Sequence, residues 1–214
     1  MSSVNSFPTF KYSQPEGYHF SHDSVFLARE VFEKHKNDLS RYHILDLCAG
    51  CGVVGMDLIF HQLNESHFSG EIDFLEVQEI YKTHFDQNKE SLQAEFPGQN
   101  LKINWIQKNY ADVQEFKKYD LIISNPPYFL KESGILSDNE FKNRCRFFLD
   151  SGWKEMILFM QNSLKENGQA YFLVRNELKK MIEKENYFNP HLPQIQFQSQ
   201  IRGTWVAQIQ KLET

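Results

Sequence analysis

The chain is poor in cysteine, with only Cys48, Cys51 and Cys145 among its 214 residues. An odd number cannot pair completely, and it fits a reducing compartment better than a disulfide framework. Cys48 and Cys51 have the spacing of a redox or zinc half-site, but no second pair exists to complete four ligands. Both stand inside a glycine-rich turn and read as small packing residues. The histidines show no metal-ligand spacing, so no metal is expected. Long apolar runs are missing too: no window approaches about 18 uncharged apolar residues, which argues against a membrane-spanning helix. Met1–Asn5 lacks the basic-then-apolar order of a secretion signal, and a cytoplasmic protein is expected. There is no basic excess either. The formal net charge of -5 weighs against a broad cationic surface and leaves room for a local groove. Internal repeats, low-complexity stretches and linkers are absent.

What is there is a core. Apolar residues make up 41% of the chain, enough for one domain over residues 1–214. Apolar runs at Tyr42–Leu47, Ile72–Leu75, Leu101–Ile106, Leu121–Ile123 and Ala170–Val174 read as strands. Between them, Tyr81, Phe85, Leu92 and Phe96 recur at helical spacing, as do Trp153, Ile157, Met160 and Leu164. Strand and helix in alternation predict an α/β fold with a mostly parallel sheet covered on both faces. Ser21-His22-Asp23-Ser24 opens a capped amphipathic helix through Val25, Leu27, Ala28, Val31 and Phe32, and Leu178–Glu185 reads as another helix. Ile195–Phe197 and Ile201, then Trp205–Ile209, around Arg202-Gly203, read as a closing hairpin.

Two motifs carry chemistry. The first is Asn125-Pro126-Pro127-Tyr128, directly after the strand ending in Ile122-Ile123-Ser124. At a strand's carboxyl end, the Asn125 side-chain carbonyl and the Pro126 backbone carbonyl can accept both hydrogens of one planar amino group. The prolines stiffen the corner, and Tyr128 offers a face for a flat conjugated group. The second is Asp46-Leu47-Cys48-Ala49-Gly50-Cys51-Gly52, running from a strand into a helix. Gly50 and Gly52 let the backbone approach a ligand, while Glu76, 24 residues past Gly52 at the end of the next strand, suits the two hydroxyls of a ribose. Gly50-x-Gly52-x-x-Gly55 also satisfies the dinucleotide fingerprint, so a nicotinamide enzyme competes on the glycines alone. Asp46 favours a ligand bearing a cationic amine over a pyrophosphate. The tetrapeptide has a place in methyl transfer and none in hydride transfer.

Over about residues 14–175 this combination resembles the class I S-adenosylmethionine-dependent methyltransferases. The resemblance implies a Rossmann-like, doubly wound, seven-stranded sheet and S-adenosylmethionine as cofactor. It implies cofactor contacts from Asp46, Cys48, Ala49, Gly50, Gly52, Glu76, Val77, Asn109, Tyr110 and Asn125. Cys48 stands where many members have a first glycine, and Asn109 where the class often has an Asp that accepts the adenine amino group. Gln14–Ala28 resembles the amino-terminal signature of bacterial tRNA adenine-N6 methyltransferases, which modify a base next to the anticodon. By that resemblance residues 1–40 form an extension over the cofactor and target pocket, with Tyr18, Phe20, Ser21 and Asp23 as its walls or contacts.

The expected reaction holds an exocyclic amine against Asn125 and Pro126 in line with a sulfonium methyl, with Pro127 stiffening the corner and Tyr128 and Phe129 stacking the flipped base. Arg144 and Arg146, beside Phe147-Phe148, are the foremost candidates for RNA contact, with Lys131 and Lys142 behind them. The expected partner is RNA, a tRNA in the first instance, met by a monomer. Protein glutamine methylation remains an alternative, although only about forty residues precede the first strand, too few for the substrate domain such enzymes carry. A DNA adenine methyltransferase and a non-catalytic subunit that binds cofactor or RNA are further alternatives.

Overall fold

The computed structural model describes residues 11–114, 117–188 and 192–211, so Met1–Asn5 lie outside the described residues. Five strands run parallel: β1 (His43–Leu47), β2 (Glu71–Glu76), β3 (Lys102–Gln107), β4 (Tyr119–Ser124) and, later in the chain, β7 (Leu164–Val174). Ile44, Leu45 and Leu47, like Leu121, Ile122 and Ile123, are fully buried. Apolar residues occupy both faces of these strands because both sheet faces are covered. On one face α1 (His22–His35), α2 (Val53–Glu65) and α3 (Lys82–Glu95) pack Leu27, Val31, Leu58 and Phe85 around Ile44, Ile72 and Phe74. On the other, α5 (Trp153–Ser163) and α6 (Asn176–Phe188) pack Ile157, Met160 and Ile182 around Leu45, Ile122 and Phe172. The sheet order is β3-β2-β1-β4-β7-β9-β8, and direction of winding reverses between β1 and β4. Ligands bind at the carboxyl ends of strands beside such a switch point.

The chain closes with β8 (Ile195–Ile201) and β9 (Thr204–Gln210), and β9 inserts antiparallel between β7 and β8. Arg202 (φ 50°) and Gly203 (φ 86°) make the tight turn. The expected doubly wound seven-stranded sheet and closing hairpin are both present. Near the amino ends of the strands, Asp73 of β2 accepts from His43 Nε2 (3.1 Å), Tyr119 Oη (2.9 Å) and Asn104 Nδ2 (2.9 Å), with Lys118 Nζ at 3.0 Å. Burial pushes its carboxyl up, but these donors outweigh it and hold the group well below the usual carboxylate range. Among the described residues no helix is long and apolar enough to cross a membrane.

Two local expectations fail. Leu164, expected on a helical stripe, is the first residue of β7 and pairs with Tyr119, because a register shift between Tyr119 and Leu121 extends that strand toward α5. Ser21 has the extended backbone of an N-cap (φ -83°, ψ 154°), yet its hydroxyl makes no cap bond and is buried without a partner.

Candidate active site

β1, β2 and β4 end on one pocket. After β1, the chain turns through Cys48, Ala49 and Gly50, all of which line it. Gly50 (φ 54°) and Gly52 (φ 85°) are left-handed, and so is Cys48 (φ 57°), whose β-carbon costs roughly 1 kcal/mol there. Gly52 faces the core instead of the pocket: a β-carbon would meet Met56 at 2.9 Å and Phe85 at 3.0 Å. Glu76 secures the turn. Its Oε2 accepts from Gly50 N (2.9 Å) and its Oε1 from Val77 N (3.0 Å) and Gln78 N (2.9 Å), while burial pushes the carboxyl above its ordinary range. Asp46 lies behind the lining, fully buried, with Oδ2 accepting from Gly55 N at 2.8 Å and Oδ1 without a partner. Burial, with Glu76 adding repulsion, holds its carboxyl well above the usual range. Burial also pushes the Cys51 thiol up to about 12, and this cysteine serves as packing.

The tetrapeptide forms the facing wall, with Asn125, Pro126, Pro127 and Tyr128 all lining the pocket. The Asn125 amide donates to Ser24 Oγ at 2.7 Å, and its Oδ1 accepts from Tyr128 Oη at 2.6 Å. The NH₂ is turned to α1, and the carbonyl oxygen, with one lone pair taken by Tyr128, retains the other. Tyr128 N donates to Arg146 O at 3.0 Å, which starts a short parallel ladder of β5 (Phe129–Leu130) on β6 (Phe147–Phe148). The ladder lays the strand exit against the end of α4 (Glu140–Arg146). Sequence periodicity showed neither α4 nor this small sheet.

The amino-terminal segment covers the pocket with Gln14, Tyr18, Phe20, Ser21 and Ser24. It is clipped down at Ser13, whose N donates to Asn88 Oδ1 (2.7 Å). Asn88 Nδ2 in turn donates to Ser13 O and Cys51 O (both 2.9 Å), so one side chain joins strap, glycine turn and α3. Asp23 does not reach the pocket: it is buried and accepts from Thr204 Oγ1 at 3.0 Å.

Val77, Asn109 and Tyr110 line the remaining end, as do Asp150 and Ser151. Asn109 is more engaged than its expected role allows. Its Oδ1 meets Ala111 N (3.0 Å) and Ser151 Oγ (2.7 Å), and its Nδ2 donates to Asp150 O (3.0 Å). Arg144 lines the pocket but is spent on Asp150 through Nε (3.1 Å) and Nη2 (2.8 Å). Arg146 lies 5.6 Å from the ring centres of both Phe129 and Phe147, and neither Arg146 nor Phe129 lines the pocket. Among the pocket-lining residues that sequence reasoning passed over are Ser24, Asp150, Ser151 and Cys145, the last 3.1 Å from the Tyr81 hydroxyl.

Residues 21–133, more than half of the chain, match the model of a family described as lysine methyltransferase. The chain belongs to this methyltransferase family. It is also 31% identical over 145 residues to a tRNA1(Val) (adenine(37)-N6)-methyltransferase of Glaesserella parasuis, covering 67% of this chain and 56% of that protein. It is 30% identical to the protein of that name from Haemophilus influenzae, covering 76% and 63%. A release factor glutamine methyltransferase of Clostridium botulinum matches at 26% identity over 68% of this chain and 48% of its own. The matched part is thus less than two thirds of each relative. Among solved structures, a 16S rRNA guanine-N2 methyltransferase of T. thermophilus, in complex with AdoMet and guanosine, superposes with a TM-score of 0.62 at 16% identity, covering 92% of this chain and 44% of that one. A ribosomal protein L11 methylase of Lactobacillus delbrueckii gives 0.58 at 18% identity, covering 92% and 84%.

The methyltransferase pocket fits S-adenosylmethionine, the cofactor of the class. Glu76 lines the pocket and would accept ribose hydroxyls there, and behind the lining Asp46 Oδ1 stays an orphaned buried acceptor. The left-handed run at Cys48 and Gly50 brings backbone to the pocket surface.

Proposed function

We propose that this methyltransferase transfers a methyl group to the exocyclic N6 of an adenine in tRNA, next to the anticodon. The observation that carries the reading is the Asn125 amide, whose orientation is imposed by Ser24 and whose carbonyl keeps a vacant lone pair in a pocket walled by Tyr128. The N6 amine is a weak nucleophile because its lone pair is delocalised into the ring. Accepting its two hydrogens at Asn125 Oδ1 and Pro126 O draws the nitrogen toward a pyramidal geometry and meets the positive charge that develops on it. When bound, S-adenosylmethionine would supply an electrophilic methyl group, the bonding pair remaining on its sulfur as a neutral thioether. Asn125 and Pro126 hold the amine during transfer, and the surplus proton then passes to water. Tyr128 stacks the extruded base.

The names of the tRNA-modifying relatives support this substrate. The family description names lysine, but a lysine ammonium must first lose a proton to a base. The pocket-lining carboxylates, Glu76 and Asp150, are engaged by backbone N–H groups and by Arg144. The tetrapeptide equally suits a side-chain amide, so glutamine methylation is the second reading, favoured by the more distant glutamine methyltransferase match.

Residues 1–214 are read as one methyltransferase unit, a cytoplasmic monomer, with residues 1–40 as the cover of the pocket. The Ser13–Asn88 clip and the lining by Tyr18, Phe20, Ser21 and Ser24 support that role for the described part. The experiment is to supply labelled S-adenosylmethionine with total RNA, DNA and protein, followed by nucleoside analysis. Label in N6-methyladenosine from tRNA is expected, and label confined to protein overturns the reading.

A further inference from the structure

Arg175 follows β7 directly, at the carboxyl end of the strand beside β4, and belongs to none of the cation clusters visible in the sequence. Its guanidinium carbon lies 4.9 Å from the centre of the Tyr128 ring. Nη2 stands 4.0 Å from Oδ2 of buried Asp23, close enough for attraction and too far for a hydrogen bond. Nε is buried without a partner, and 38% of the side chain remains exposed. Asp23 is itself anchored by Thr204 of the closing hairpin. The result is a planar cation steered by a carboxylate, laid on an aromatic ring, and with hydrogen-bond donors left over. Of the two arginines near the target side that the sequence does advertise, Arg144 is spent on Asp150, and Arg146 lies 5.6 Å from the rings of Phe129 and Phe147.

We propose that Arg175 binds a backbone phosphate of the nucleotide whose base enters the pocket. The proposal rests on the RNA reading above. A nucleotide flipped about its backbone carries its flanking phosphates to the pocket mouth while the base travels inward. If Tyr128 stacks that base, the guanidinium on the same ring is within a nucleotide's reach. Arginine's rigid fork suits a phosphate's paired oxygens, whereas a lysine offers only a point charge. Asp23 pre-orients the fork without saturating it.

The test compares wild type, Arg175→Gln and Arg175→Lys in binding bulk tRNA between about 50 and 200 mM salt, in steady-state methylation, and in calorimetric binding of S-adenosylhomocysteine. Arg175→Gln is expected to bind tRNA roughly tenfold more weakly, with the slope of log affinity against log salt smaller by about one. KM for tRNA should rise more than kcat falls, and S-adenosylhomocysteine should bind as in wild type, which shows that the fold is intact. Arg175→Lys should recover the salt slope and only part of the affinity. A Gln variant that loses kcat while keeping wild-type RNA affinity and slope would mean that Arg175 only braces Tyr128, and the proposal fails. A wild-type enzyme that labels no RNA defeats the adenine reading first, and this proposal with it.

Discussion

The two ends of one sheet treat their buried carboxylates in opposite ways. At the amino ends, Asp73 is surrounded by His43, Asn104, Lys118 and Tyr119, and its ionised form is stabilised. At the carboxyl ends, Asp46 has one oxygen unpaired and Glu76 is short of enough donors to offset burial, so both resist ionisation. Ser21 Oγ, the left-handed Cys48 and Arg175 Nε belong to this second end. A satisfied network is a structural element, whereas unsatisfied groups gathered around a pocket cost stability and are kept for what they bind.

The contrast can be broken by substitution, beginning with the largest effect. Asn125→Ala should lower methyl transfer by about three orders of magnitude, roughly 4 kcal/mol in the barrier, while calorimetry shows cofactor binding largely spared; retained turnover removes the amide from the mechanism. Asp73→Ala should cost about 3 kcal/mol of unfolding free energy in urea, because Lys118 and His43 lose their buried counter-charge. Ser24→Ala leaves the Asn125 amide held by Tyr128 alone and should lower kcat roughly tenfold with little change in melting temperature. Asp46→Asn should move the opposite way to Asp73→Ala, raising ligand-free stability by about 1 kcal/mol.

The pH dependence separates the two ends by sign. Asp73 has a depressed folded pKa, so its contribution is present above the unfolded value near 4 and is lost as pH falls toward the folded value. Asp46 and Glu76 have raised folded pKa values, so theirs is present at acid pH and lost as pH rises through the folded values. Urea midpoints of the Asp73→Ala chain should therefore fall less on acidification than those of wild type, and those of Asp46→Asn should fall less on approach to neutrality. Equal pH profiles for the two variants would erase the distinction between the ends.

How much of this was legible in the sequence depends on whether the signal was local. Asn125–Tyr128, Gly50 and Glu76 sit at strand ends in contiguous motifs, and β1 and β4 are mostly apolar runs; these were readable directly. Ser24 was not, because its partner Asn125 lies 101 positions away and only the packed fold joins them. Arg175 follows an ordinary core strand with no neighbouring cation, and its meaning comes from Tyr128 and Asp23. The sequence cluster Arg144-Cys145-Arg146 was legible as charge, but its local partners, Asp150 for Arg144 and two phenylalanine rings beside Arg146, were not. Between Lys131 and Asp150 no apolar period of 2 or 3.6 is sustained, so α4 and the β5–β6 ladder had no sequence mark.

That ladder has only two paired rungs, yet it ties Tyr128 and Phe129 to a segment that runs on, two residues later, into Asp150 and Ser151 against Asn109. The pocket end at Asn109 and the wall at Tyr128 are therefore one mechanical piece. Ordering either end orders the other, and reciprocity requires equal gains. S-adenosylhomocysteine should tighten tRNA binding by the same factor by which tRNA tightens S-adenosylhomocysteine, and calorimetry of the ternary complex that finds the two bindings independent would show the ladder to be slack.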